Sequence, residues 1–146
     1  MSLPAVTIPR IEEMLTSMEL KYVTENNTIK VAFENCLVSI FLYSEPDLME
    51  VNTMWRAEIS KENHEAVAQL CAELNAEMFF PKICYHVDDE DDMTVIAEHS
   101  TPTAAGLTEE QLLEYLEATF SRELAVLDKF EKAFPHLVTW EEEGEE

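Results

Sequence analysis

Residues 48–59 read LMEVNTMWRAEI, and their side chains alternate without a break. Met49, Val51, Thr53, Trp55, Ala57 and Ile59 form one set, and Glu50, Asn52, Met54, Arg56 and Glu58 the other. A side-chain period of two belongs to a strand, so this run predicts one with a buried and a solvated face. Such a strand belongs in an antiparallel sheet covered on one side, and the flanking segments supply its neighbours. Upstream, CLVSIFLYS is apolar in both registers, Val38, Ile40 and Leu42 against Leu37, Phe41 and Tyr43, which predicts a central strand. The turn at Glu45-Pro46-Asp47 joins the two. Before them, LKYVTE and TIKVAFE flank Asn26-Asn27, which tolerate positive φ, and predict a hairpin with Ile29, Val31 and Phe33 inward.

Three helices complete the pattern. After Pro9, Ile11, Met14, Leu15 and Met18 recur at helical spacing, with Glu12 and Glu13 expected in the first turn. Ser60 is the expected cap of a second helix whose stripe is Val67, Leu70, Cys71, Leu74 and Met78, stopped by Pro81. Thr108 and Gln111 form a capping box, with Leu107 and Leu112 as its hydrophobic staple, for a long helix ended by Pro135. The order α-β-β-β-β-α-β-β-α, with short connections, predicts an α+β fold: a mostly antiparallel sheet with helices packed on one face. Residues 1–140 are read as a single domain, and residues 141–146 as an acidic disordered tail.

Five consecutive acids, residues 88–92, lie between two apolar runs and between His86 and His99. As a calcium loop the run fails, because Met93 stands where the sharp turn needs Gly and His99 where a bidentate acid is required. Centring a hairpin turn on Glu90 pairs Ile83, Tyr85 and Val87 with Ala97, Val95 and Met93 on an apolar face. Lys82, Cys84 and His86 then oppose Glu98, Ile96 and Thr94. In that register His86 and His99 point to opposite faces and cannot share a zinc ion. The run is therefore read as a solvated turn, and no metal or cofactor site is assigned. The competing reading is a small-ligand or divalent-metal-responsive regulator that uses this turn.

Composition excludes several classes. The formal net charge is -22, and the nine basic residues are scattered, so neither nucleic acid nor an anionic membrane is an expected partner. With 47% hydrophobic residues the chain is nonetheless rich enough in apolar side chains to fold. Cys36, Cys71 and Cys84 lack metal or redox spacing and read as reduced thiols of a cytoplasmic protein. Neither a signal peptide nor an apolar run of membrane-spanning length is apparent. Gly106 and Gly144 are the only glycines, too few and too far apart for a phosphate-binding loop, and the local motifs of serine hydrolases and zinc proteases are absent. The expectation is a protein that is not an enzyme, without catalytic residues.

What remains is surplus apolar surface. Phe41 and Tyr43 lie on the second face of the central strand, Met54 points outward, and Trp55 adds a large aromatic beside it. These four are the candidate contact residues of a subunit interface or a peptide groove, with coverage by the chain's own segments as the alternative.

Residues 75–134 carry Asn75 near a helix end, aromatic Phe79 and Phe80, Pro81-Lys82 opening a strand, an acidic turn, and Gly106 and Thr108 opening a long helix. With the upstream helix, hairpins and Trp55-Arg56, this arrangement resembles the YbjN-like family of bacterial sensory transduction regulators over nearly the whole chain. The resemblance implies an α+β fold similar to type III secretion chaperones, a homodimer, and a regulatory or chaperone-like role exercised on a protein or peptide partner. It supplies no catalytic residues.

Overall fold

The computed structural model describes residues 3–138, so the expectation for residues 141–146 lies outside the described residues. The elements are α1 (Ile8–Ser17), β1 (Val23–Glu25), β2 (Thr28–Ala32), β3 (Cys36–Tyr43), β4 (Leu48–Trp55), α2 (His64–Glu77), β5 (Lys82–Val87), β6 (Met93–Pro102) and α3 (Glu109–Ala133), with short 3-10 turns at Lys61–Asn63 and Pro135–Leu137. This is the expected order and the expected α+β class. The six strands form one sheet in the order β1-β2-β3-β4-β6-β5, and every neighbouring pair is antiparallel.

Local chemistry accounts for the boundaries. Asn26 and Asn27 take φ of 52° and 64°, the left-handed turn that the β1–β2 hairpin needs. The Thr108 hydroxyl accepts from the Gln111 N–H at 3.0 Å while the Gln111 side chain accepts from the Thr108 N–H at 2.9 Å, closing the capping box of α3. Two expectations about helix starts are corrected. Thr7 caps α1, so the helix begins at Ile8 with Pro9 in its first turn and no acid there. Glu12 instead accepts from the Thr24 hydroxyl of β1 at 2.7 Å. Ser60 makes no side-chain cap: the chain enters a 3-10 turn first, and α2 starts after Asn63.

The alternation of β4 sorts as its sequence requires. Met49, Val51, Thr53 and Ile59 are 0% exposed, Trp55 1% and Ala57 2%, all on the face covered by helices. Ile59 lies beyond the strand but stays in register through reciprocal hydrogen bonds with Met93. The core beneath the sheet divides into two clusters. One gathers Trp55, Val67, Cys71, Leu74, Val95 and Phe130 around α2. The other gathers Ile11, Leu15, Ile40, Val51, Leu112 and Leu116 around α1. Helix α3, roughly 37 Å long at 1.5 Å per residue, contributes to both. Each fully buried aliphatic side chain adds about 1.5–3 kcal/mol relative to exposure.

A polar seam lies along α3 where the clusters meet. Thr119 and Glu123, one helical turn apart, are both 0% exposed, and the Thr53 hydroxyl of β4 donates to Glu123 Oε1 at 2.5 Å. Glu123 Oε2, Thr119 Oγ1 and the Trp55 indole N–H have no hydrogen-bond partner among the described residues. Burial pushes the Glu123 carboxyl up to about 9; the Thr53 hydrogen bond opposes that shift, and the Glu98 and Glu50 charges add to it. Glu123 is therefore neutral at pH 7.

The N-terminal segment is tied across the start of α3. Leu107 N–H donates to Pro4 O at 3.0 Å, and the Arg10 guanidinium donates to the carbonyls of Pro4, Ala5 and Leu107 at 3.1, 2.8 and 3.0 Å. Gly106 makes this approach possible: its φ is +82°, and a Cβ there would stand 2.5 Å from the Leu3 and Pro4 carbonyl oxygens.

Two outcomes follow from these contacts. Because the folded state holds the Glu123 proton to higher pH than the unfolded chain, its contribution to stability is complete below the unfolded carboxylate range and is lost as pH rises toward 9. Urea unfolding of the wild type should lose about 2 kcal/mol between pH 7 and 8.5, at 1.36 kcal/mol per pH unit, and Glu123→Gln should remove most of that slope. An unchanged slope in the variant contradicts the assignment. Gly106→Ala should lower stability by at least about 1 kcal/mol. An unshifted denaturation midpoint would show that the N-terminal tie is not as close as described.

Candidate interaction surface

Among the described residues all three α-helices pack against the face that holds the buried alternate residues, and no helix lies on the other face of the sheet. Antiparallel pairing places residues from different strands in rows across this free face. The first row is apolar and crosses five strands: Ala32, Leu37, Met54, Ile96 and Cys84. The next is polar: Lys30, Ser39, Asn52, Glu98 and Lys82. Lys82 Nζ lies 3.5 Å from Glu98 Oε1, and the Asn52 amide is 3.4 Å from Glu98 Oε2, so the part of this row on β4, β6 and β5 is internally paired. Beyond it Thr28, Phe41, Glu50 and Ser100 align, followed by Tyr43, Leu48 and Pro102.

The structure brings three of the four predicted contact residues onto this face. Phe41 and Tyr43 stack with ring centroids 5.9 Å apart at an interplanar angle of 18°. Tyr43 is 44% and Met54 40% exposed, with Phe41 half-buried. Trp55 goes the other way: it sits in the core 5.6 Å from the Phe130 ring, because the pleat that turns Met54 outward turns its neighbour inward. No segment among the described residues covers Tyr43 or Met54. Leu37 and Met54 continue into an apolar recess of about 370 Å³ at the end of the sheet, with Phe33, Ala57 and the edge of Trp55 in its wall.

Other members of the surface escaped the sequence reading. Ile96 and Cys84 join the apolar row only because β6 inserts between β4 and β5, a nonlocal pairing that no local pattern announces. Phe79 is 99% exposed in the loop after α2. Its neighbour Phe80 folds back, stacking on His99 at 4.3 Å beneath the Arg122 guanidinium.

The acidic run forms a turn in the expected register, with Lys82 opposite Glu98, Cys84 opposite Ile96 and His86 opposite Thr94. Asp88 builds it: one carboxylate oxygen accepts from the N–H groups of Glu90 and Asp92 at 2.8 and 3.0 Å, and Asp91 takes φ +66°. Those two hydrogen bonds hold the Asp88 carboxyl below its ordinary value. His86 is exposed, whereas His99 lies on the helix side between Phe80 and Tyr115, where burial lowers its basicity. Among the described residues no group of three His, Cys, Asp or Glu side chains is placed to hold a metal ion. Burial raises the Cys36 thiol to about 12 and the Cys71 thiol to about 11, which removes both as nucleophiles at neutral pH. No helix among the described residues is long and apolar enough to cross a membrane.

Solved structures share this fold. YbjN from E. coli, described as a putative transcription regulator, superposes with a TM-score of 0.74 at 14% identity, over 86% of this chain and 92% of the other. An uncharacterized protein from Methanothermobacter thermautotrophicus gives 0.57 at 12% identity, over 88% and 99%. The ExsC-ExsE complex gives 0.55 at 17% identity, over 86% and 90%. At these identities the likeness is one of fold. No curated protein matches the sequence closely enough to lend it an activity. The sequence profile of the YbjN family, described as "putative bacterial sensory transduction regulator", matches residues 7–132, and the chain belongs to that family.

Proposed function

We propose that this chain is a non-enzymatic, cytoplasmic protein-interaction module that forms a homodimer through the helix-free face of its sheet and serves a regulatory or chaperone-like role. One observation carries the reading: an apolar row spanning five strands and, beyond an intervening polar row, the stacked Phe41 and Tyr43 lie on a face that no helix among the described residues covers. Exposed apolar area organised in this way is characteristic of docking surfaces. The family description as a sensory transduction regulator supports a signalling context, and the related fold of the ExsC-ExsE complex is one already found bound to a protein partner. The turn at residues 88–92 is the weaker site, since Asp88 is committed to the backbone and Asp89, Glu90 and Asp91 are exposed to solvent.

Charge sets a condition on self-association. Two copies at a net charge of -22 repel, so dimerisation must rest on apolar contact and should tighten as salt screens the repulsion. In sedimentation equilibrium, Phe41→Ser and Tyr43→Ser should each weaken the dimer by at least about tenfold, the scale of losing a buried aromatic contact. Both should leave the melting temperature nearly unchanged, whereas Trp55→Ala should cost about 3–5 kcal/mol of stability. A wild type that stays monomeric at every accessible concentration, or strong unfolding of both serine variants, would falsify this reading.

A further inference from the structure

The outer edge of β5 is half closed by one side chain. Asn75, near the end of α2, donates its amide to Ile83 O at 2.8 Å and accepts from Ile83 N–H at 2.9 Å, taking the place that a neighbouring strand would occupy. In an antiparallel ladder, residues that turn both backbone groups away from their partner recur every second position. Ile83 is such a residue, so Tyr85 and Val87 also direct an N–H and a C=O outward. No partner for these groups is found among the described residues, since β5 pairs only with β6 and stands last in the sheet. The side chains at this open edge are apolar and exposed, Tyr85 by 47% and Val87 by 39%. Immediately beyond Val87 stand the five acids of the turn.

An open edge is ordinarily a liability toward other strands, and charge selects what can pair with it. The acids repel a second copy of this strongly acidic chain, and Lys82 is the only Lys or Arg on the strand itself, with His86 nearer the turn. We infer that the β5 edge at Tyr85 and Val87 is a strand-addition site for an extended, basic segment of a partner protein, with Asn75 closing one end and the acidic turn attracting charge at the other. Backbone hydrogen bonds supply the pairing, and the alternate apolar side chains and the charge at one end set the choice of segment. In antiparallel addition the basic residues precede the paired strand, which brings them beside the turn. This rests on the reading of the chain as a protein-binding module, but it uses a surface distinct from the free face.

Fluorescence anisotropy with a labelled, acetylated peptide carrying a lysine cluster ahead of an alternating valine-threonine stretch tests it on the full chain. Wild type should bind the probe, and affinity should fall as salt rises, opposite to the behaviour expected of the dimer. Tyr85→Pro and Val87→Pro should each weaken binding by at least about tenfold, because each removes an outward donor that the sheet itself does not use. Tyr85→Ala should retain most of the affinity, and Asp89→Asn combined with Glu90→Gln and Asp91→Asn should weaken it without disturbing Asp88. Circular dichroism checks that each variant folds; should the proline variants not fold, the charge variant alone decides, and unchanged affinity there overturns the proposal. Equal binding by wild type and folded Tyr85→Pro also overturns it, as does no binding by wild type. Loss of probe binding in Phe41→Ser instead would move the site to the free face, defeating the edge while keeping the binding module. Self-association that vanishes in Tyr85→Pro would make a second copy the occupant and overturn the charge argument.

Discussion

Three helices can cover one face of this six-stranded sheet, and every strand residue is sorted by which side of that cover it falls on. The sorting is visible within single strands. On β4 the pleat sends Met49, Val51, Thr53 and Trp55 under the helices and Glu50, Asn52 and Met54 to the open side. On β3 it buries Cys36, Val38 and Ile40 while Phe41 and Tyr43 emerge opposite. The covered face accounts for stability, since most of the buried apolar area lies there. The open face keeps more apolar side chains than solubility alone would favour, and the proposed interaction is what gives them a place.

The covered face also carries a polar element at its centre. Glu123 lies between the two apolar clusters, and its burial is tolerable because the carboxyl is neutral and its Oε1 accepts from Thr53. Its other oxygen, Thr119 and the Trp55 indole remain without partners among the described residues. Buried polar atoms are usually satisfied, so this seam carries a polar cost within an otherwise apolar interior, and Glu123 makes it sensitive to alkaline pH.

The local patterns were legible because their causes are local. The alternation of residues 48–59, the Asn26-Asn27 turn and the capping box at Thr108 each follow from the chemistry of a few neighbouring residues. The β5–β6 register could be read because a shift of one residue would expose Met93, Val95 and Ala97. The candidate surface was readable only in part. Phe41, Tyr43 and Met54 announced themselves as surplus on an alternating strand, but Trp55 is a large aromatic that fits either side until packing against Phe130 decides it. Ile96 and Cys84 entered the apolar row through the insertion of β6 beside β4, which depends on long-range pairing. The role of Asn75 was equally hidden, since nothing in the sequence says that its amide will stand in for a strand. Ser60 misled because its residue type suits a cap, while the 3-10 turn moved the helix start onward to His64.

Association through the helix-free face would bury the side chains that stand exposed on it. Hydroxyl-radical footprinting at low and high protein concentration tests it directly, with oxidation read out by residue. Met54, Phe41 and Tyr43 should become protected as the protein associates, while exposed Phe79 keeps its reactivity and core Met49 stays unreactive throughout. Association that leaves Met54 and Tyr43 fully reactive, and protects the outer side of α3 instead, would contradict it.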